Sequence, residues 1–267
     1  MNKQQKLEVN PDYGLDAPTV VRNLLICGAI GLLLWISTEI NLLPGDLLIG
    51  PVSDIEIHFP LGVMGLWSGI GFLSMGFWMI WSSRIGKIKE REKLLDYIEW
   101  SGNENVLDIG CGQGLMVIGA AKRLTTGKAT GIDKWNTKDL SGNRPEGTIK
   151  NAVLENVADR VDVKTADMRQ LPFGDSTFDV ILSCSAIHNL NSREERANAI
   201  AEIVRVLKPG GRALIDDIRN QPEYKSAFKN CGCSEIRRVD SIIFSLLLSL
   251  ITFGTLSPGT LLIRKSL

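Results

Sequence analysis

Apolar residues are unevenly spread along this chain, and two long uncharged runs come first. Asn23–Thr38 carries no charge, is preceded by Val20 and Val21, and is closed by Glu39 and Pro44-Gly45. Phe59–Ser83 is also uncharged and ends with Trp78 and Trp81. Crossing a bilayer takes about 20 mostly apolar residues. The first run alone is therefore marginal, whereas the second is long enough, and its tryptophans suit a membrane interface. Together they predict a transmembrane hairpin over residues 22–83, with residues 1–21 as a polar arm holding Pro11 and Pro18. A cleaved signal peptide is not expected, because the apolar stretch begins late and no small-residue cleavage pattern follows it. The alternative for both runs is a pair of helices buried in a soluble core.

The pattern then changes. Residues 84–100 form a linker in which Ile88, Leu94, Leu95 and Ile98 recur among charges of both signs, predicting an amphipathic helix over 86–99. From residue 101 onward, strands at 105–109, 128–132, 161–165, 178–183 and 212–216 alternate with helices at 114–124, 146–158 and 193–207. Phe178–Ser183 is apolar without alternation, as a strand covered on both faces should be. This succession predicts an α/β fold with a doubly wound, mostly parallel sheet over residues 101–267.

Ser241–Ile263 is a third uncharged run. Ser245, Ser249, Thr252 and Thr255 fall at helical spacing, so Ile242–Leu256 reads as a helix with one narrow polar stripe, inserted at 241–257 between strands near 234–239 and 260–265. A third span would carry Arg264 and Lys265 outward, against the charge rule. A helix on or dipping into the cytoplasmic leaflet is preferred; a core or oligomer contact is the alternative.

Charge orients the hairpin. The segment 41–58, expected to be a loop, holds Asp46, Asp54 and Glu56 and no Lys or Arg, whereas Lys3, Lys6 and Arg22 lie on one flank and Arg84, Lys87, Lys89, Arg91 and Lys93 on the other. Positive flanks stay cytoplasmic, which predicts a multi-pass protein of the cell membrane with the α/β domain that follows on the cytoplasmic side. Overall, 30 basic residues balance 30 acidic ones, which argues against a nucleic-acid partner. Cys27, Cys111, Cys184, Cys231 and Cys233 read as reduced thiols. Cys231 and Cys233 have neither a second ligand pair nor a nearby histidine, so no metal site is expected.

The chemical signal is Val106-Leu107-Asp108-Ile109-Gly110-Cys111-Gly112-Gln113-Gly114, an apolar strand running into a glycine turn and a helix. Glycines let the backbone turn tightly and approach a ligand, and a helix start offers free N–H groups. This stretch resembles the first motif of class I S-adenosylmethionine-dependent methyltransferases. Four further segments agree in order: Gly131-Ile132-Asp133; Ala166-Asp167-Met168 with Leu171-Pro172-Phe173; Phe178-Asp179-Val180-Ile181; and Arg205-Val206-Leu207-Lys208-Pro209-Gly210-Gly211. The match covers roughly residues 100–220 and is closest to the subgroup of quinone-biosynthesis methyltransferases.

The resemblance implies a seven-stranded Rossmann-like sheet and S-adenosyl-L-methionine as cofactor. It implies Asp108 near the methionine amino group and Gly110 and Gly112 along the cofactor's path, with Cys111 and Gly114 in the same turn. It implies Asp133 on the ribose, Lys134 or Trp135 beside the adenine, Asp167 and the Met168 N–H on the adenine edge, and Ser183 or Cys184 beneath the methionine. His188 is the tentative base, since imidazole titrates near neutrality; a loop-capping histidine is its alternative. The polar loop from Asp133 to Asn143 either covers the cofactor or satisfies its own backbone. The expected function is methyl transfer to a small-molecule or lipid acceptor. A cofactor-binding sensor or assembly factor without turnover is the alternative, and a nicotinamide-dependent reductase is disfavoured by the glycine spacing. A homo-oligomer is allowed.

Overall fold

The computed structural model describes residues 10–52 and 55–267. Lys3, Lys6 and Asp54, three of the charges behind the expected orientation of the hairpin, lie outside the described residues. The chain divides into two compact units. One is Gly14–Lys87 with Lys138–Ser141; the other holds the described residues up to Tyr13, Ile88–Thr137 and Gly142–Leu267.

The first unit is built on α1 (Pro18–Glu39) and α2 (Leu61–Trp81). At about 1.5 Å per residue each helix is roughly 30 Å long, and both are long and apolar enough to cross a membrane. Helix α1 begins four residues before the expected span, because Pro18 suits a first helical turn and Val20 and Val21 extend the apolar run. Gly28 faces Leu73, Gly31 faces Gly65 and Gly69, and Gly62 faces Thr38, so the helices run antiparallel. A Cβ on Gly65 would lie 2.7 Å from the Gly31 carbonyl oxygen, and one on Gly31 would lie 2.8 Å from that of Gly65. The backbones therefore meet where only glycine fits, while Ile30, Leu33, Trp67 and Phe77 point outward.

The segment expected to be a loop instead pairs as an antiparallel hairpin, β1 (Asp46–Val52) with β2 (Ile55–Pro60). Pairing satisfies backbone groups that an open loop leaves to solvent. Gly50-Pro51 and a register shift after Ile49 break the alternation that would have announced it. A π-helical turn, Ser82–Gly86, follows α2 directly and leads into α3 (Lys87–Leu95), shorter than the predicted 86–99.

The second unit contains a seven-stranded sheet made of β3 (Asn105–Ile109), β4 (Lys128–Asp133), β5 (Val161–Thr165), β6 (Phe178–Cys184), β7 (Leu207–Asp217), β8 (Cys233–Arg238) and β9 (Gly259–Lys265). Their order is β5-β4-β3-β6-β7-β9-β8. The first five are parallel, and β9 runs antiparallel to both its neighbours. Alternate residues feed two cores. Leu107, Ile109 and Ile181 pack with α6 (Arg193–Val206) and α7 (Gln221–Asn230). Val106, Val180 and Leu182 pack with α4 (Leu115–Ala121), and Ala152 of α5 (Pro145–Leu154) joins that core. Helix α5 stops short of the predicted 158, where a 3-10 turn over Ala158–Arg160 takes over. Helix α7 was not expected, and α8 (Ile242–Ile251) ends before the predicted Leu256.

Chain order reverses between β3 and β6. After β5 the chain returns across β3, which opens a crevice at the strands' carboxyl ends. In the same unit, Arg91 is 3% exposed and bonds Tyr13 Oη (3.0 Å) and Glu155 Oε1 (3.1 Å). Burial opposes the Glu155 charge, but hydrogen bonds from Lys122, Tyr13 and Arg91 hold its pKa down to about 2.

Packing of the hairpin makes a direct prediction. Gly65→Leu should destabilise the α1–α2 contact by about 1–3 kcal/mol, seen as a lowered midpoint in a detergent-denaturation titration. Gly71→Leu, whose Cβ would meet open space, should leave that midpoint within about 0.5 kcal/mol.

Candidate functional site

Every residue the motifs nominate lies at or just beyond the carboxyl ends of β3, β4, β5 and β6. The turn after β3 is fixed by backbone. Gly110 N–H and Cys111 N–H both donate to the Ile132 carbonyl (2.8 and 3.0 Å). Gly110, Gly112 and Gly114 take φ of 74°, 53° and 93°, a region that favours glycine. At Gly110 the protein's own packing also excludes a side chain, since a Cβ there would sit 2.3 Å from Ala186 Cβ. Cys111 is buried in the core beneath.

Asp108, at 1% exposure, accepts the Val117 N–H with Oδ2 (2.9 Å), which places a carboxylate against the first turn of α4. Its Oδ1 is buried with no protein partner, and so is Ser183 Oγ on the neighbouring strand β6. Burial pushes the Asp108 carboxyl up to about 7, against the Val117 N–H and with help from nearby Asp133. Cys184 follows Ser183 and donates to Asp216 Oδ2 (3.5 Å), and burial raises its thiol pKa well above the usual range. Asp216 is pushed up to about 6 by burial, despite accepting from Thr260 and Cys184.

Asp133 holds the turns together. Its Oδ2 accepts the Gly112 N–H (2.9 Å), while Oδ1 accepts from Trp135 N–H (2.6 Å) and Asn143 Nδ2 (3.3 Å). Trp135 takes φ 62° and donates its indole N–H to Thr165 Oγ1 (2.8 Å). The loop from 134 to 143 is not satisfied by itself alone. In the unit holding 138–141, Ser141 N–H donates to the Leu15 carbonyl (3.0 Å), Leu15 N–H donates to Ser141 Oγ (2.7 Å), and Ala17 N–H donates to the Asp139 carbonyl (3.0 Å).

Asp167 is engaged by side chains rather than free at the strand end. Lys134 Nζ lies 2.7 Å away and Arg169 Nη2 2.8 Å. Hydrogen bonds from Arg169 and Lys134 hold its carboxyl well below the usual range. Glu195 holds the other side of Arg169. Met168, beside it, packs against the core.

His188 lies in a short 3-10 turn, Ile187–Asn189, after β6. Its Nδ1 is 2.5 Å from Oδ1 of Asp217, and its N–H donates to Asp217 Oδ2 (3.0 Å). Asp217, 2% exposed, also accepts from Tyr224 Oη (3.1 Å) and Ile218 N–H (2.8 Å). Neither Asp217 nor Tyr224 was nominated from sequence. The Asp216-Asp217 doublet closing an apolar strand was the available signal. Ser185, just before His188, takes φ 51°, and non-glycine residues in this region mark places where surrounding structure imposes the backbone. Among the described residues no group of three His, Cys, Asp or Glu is placed to hold a metal.

Residues 107–215 match the protein family described as Methyltransferase domain. The chain carries a class I S-adenosylmethionine-dependent methyltransferase domain. The demethylmenaquinone methyltransferase of Lactiplantibacillus plantarum is 34% identical over 125 residues, which are 46% of this chain and 49% of that protein. The ubiquinone/menaquinone biosynthesis C-methyltransferase UbiE of Roseobacter denitrificans is 29% identical over 150 residues, 56% of this chain and 53% of that protein. The chain thus spans about half the length of the curated relatives it matches. Among solved structures, the geranyl diphosphate C-methyltransferase of Streptomyces coelicolor, crystallised with S-adenosyl-L-homocysteine, aligns with a TM-score of 0.51 at 16% identity over 67% of this chain and 79% of that one. That likeness bears on the fold: the methyltransferase domain has the doubly wound, seven-stranded sheet expected of it.

The buried carboxyls give the methyltransferase domain a specific pH response. Asp108 and Asp216 have folded pKa values of about 7 and about 6, above the unfolded value near 3.9. Between about pH 4 and pH 7 the native state therefore binds more protons than the unfolded chain, and stability falls as pH rises through that window. Asp108→Asn should remove on the order of 2–4 kcal/mol of that decline, measured as ligand-free unfolding midpoints at pH 5 and pH 7.5.

Proposed function

We propose that this protein is a membrane-tethered methyltransferase that transfers a methyl group from S-adenosylmethionine to a small or lipidic acceptor. The observation that carries this reading is the pair of buried, unpartnered acceptors, Asp108 Oδ1 and Ser183 Oγ, at the ends of adjacent strands beside the glycine turn. A buried carboxylate oxygen without a donor is costly, and the cofactor's α-ammonium is a donor of the right charge. The residues present therefore fit the group.

In this reading Asp108 holds the ammonium and Ser183 and Cys184 form the floor beneath the methionine. The turn from Gly110 through Cys111 and Gly112 to Gly114 lines the cofactor's path. Asp133 accepts the ribose hydroxyls, sharing its oxygens with the N–H groups it already holds, and Lys134 and Trp135 flank the adenine. Asp167 and the Met168 N–H serve the adenine edge, with Arg169 and Lys134 keeping Asp167 ionised. S-adenosylmethionine supplies an activated methyl on a sulfonium, with a neutral leaving group. The protein's work is alignment and proton removal. Asp217 fixes Nδ1 of His188, which leaves Nε2 to take a proton from the acceptor, as a buried carboxylate does for other catalytic imidazoles.

Tethering is supported by α1 and α2, which are long and apolar enough to span. The cytoplasmic side is supported by Arg84, Lys87 and Lys89 just beyond α2. The quinone-pathway relatives are consistent with a lipidic acceptor.

Full-length protein incubated with methyl-labelled cofactor and membrane lipid extract should release S-adenosylhomocysteine and label a lipid. Binding without product in both lipid and soluble extracts would favour a sensor. His188→Ala should lower turnover by about 10²–10⁴-fold and flatten its pH profile, with the KM for the cofactor unchanged. An unchanged profile would leave His188 as a capping residue. Asp133→Ala should weaken S-adenosylhomocysteine binding by roughly 10–100-fold, as loss of a charged hydrogen-bond acceptor does.

A further inference from the structure

Helix α8 is built inside out. Ser245 is buried, and Ser249 and Thr252 are half-buried, so its polar stripe faces the protein. Ile243, Leu246, Leu247, Leu250, Ile251 and Phe253 are exposed, Leu250 at 77% and Phe253 at 98%. A helix at a water-facing surface does the reverse, and soluble monomers seldom expose an apolar patch of this kind without a partner. We infer that α8 and the turn after it are an interfacial element that seats the methyltransferase unit in a lipid leaflet.

Four observations select lipid as the occupant. The first is length: ten residues make about 15 Å of helix, half the roughly 30 Å of a hydrocarbon core, so α8 can lie along or dip into a leaflet but cannot cross it. The second is backbone satisfaction at its end. The Leu248 carbonyl accepts from both Thr252 N–H (2.9 Å) and Thr252 Oγ1 (2.7 Å), Gly254 N–H donates to the Ser249 carbonyl (2.7 Å), and Leu256 N–H donates to Thr252 Oγ1 (3.1 Å). Helices close their ends this way in water too, and in lipid they must, because no water is there to do it. The third is charge. From Ser241 to Ile263 there is none, so the segment brings no charged residue of its own to the surface it exposes, in keeping with contact to hydrocarbon. The fourth is likeness to α1 and α2, which also keep small residues inward and large aliphatics and tryptophans outward.

The position of α8 gives this surface a consequence for the site. The insertion returns to the sheet at Gly259, which pairs with Asp217, and Thr260 Oγ1 donates to Asp216 (2.6 Å). Ser257 N–H donates to the Ile218 carbonyl (2.9 Å). The helix therefore leaves from the same sheet edge that carries His188 and Asp217, and that edge is turned toward lipid.

This inference rests on the membrane reading above, and the test separates the two. The photoreactive p-benzoylphenylalanine is placed, one position at a time, at Leu247 on α8, Leu33 on α1 and Lys225 on α7, all exposed. The full-length proteins are irradiated in phosphatidylethanolamine–phosphatidylglycerol vesicles, and adducts are identified by mass spectrometry. S-adenosylhomocysteine affinity within about twofold of the unlabelled protein shows that the fold is kept. Lipid adducts at Leu247 and Leu33, each about tenfold above Lys225, are the expected result. Lipid adducts at Leu33 alone, with Leu247 giving none or a cross-linked second copy, would overturn the role of α8 and spare the tether. No lipid adduct at either position would overturn both.

Discussion

The site is organised around a carboxylate placed where its charge is disfavoured. Asp108 lies on a central strand, with core on both faces of the sheet, and only one of its oxygens meets a protein donor. Folding tolerates this because the first turn of α4 offers the Val117 N–H and a favourable dipole, while burial keeps the group close to its protonated form near neutrality. A site of this kind is poised for a cation. Pairing with one would replace an uncompensated buried charge by a compensated one, and leaving such a charge alone is the costlier arrangement.

The same edge shows how a parallel sheet distributes its tasks. Strands β3 and β6 pair side by side at the switch point, β3 leading into the glycine turn and β6 into the 3-10 turn that carries His188. Strand β4 contributes Asp133, whose two oxygens tie the β3 turn to the loop that follows β4 itself. Strand β7 contributes Asp217, which fixes the imidazole from behind. Asp133 and Asp217 end their strands, so the sheet's register spaces them, while the short turns after β3 and β6 place the glycines and His188.

What the sequence revealed follows from range. The glycine turn, Asp133 and the strand–helix alternation are encoded within short segments, and all were legible. Asp217, Tyr224 and Arg169 were not, because their meaning lies in partners that folding brings together: Asp217 meets His188 across 29 residues. Helix α7 does carry a stripe, Tyr224, Ala227 and Phe228, continued by Cys231 at its C-cap, but over a single repeat it is too short to stand out. The β1–β2 hairpin was hidden by Gly50-Pro51 in its first strand. The glycine at 110 was legible for an incomplete reason: its missing side chain makes room for Ala186 as well as for a bend.

The bonds between residues 14–17 and 138–141 bear on how this protein can be handled. The stretch leading into α1 is a backbone partner of the loop that begins at Asp133. A chain begun at residue 88 would remove the bonds that the Asp139 carbonyl and Ser141 make to residues 15 and 17. Trimming away residues 14–17 is thus an edit to the loop after β4, and altered behaviour in such a fragment would report that lost pairing before anything else.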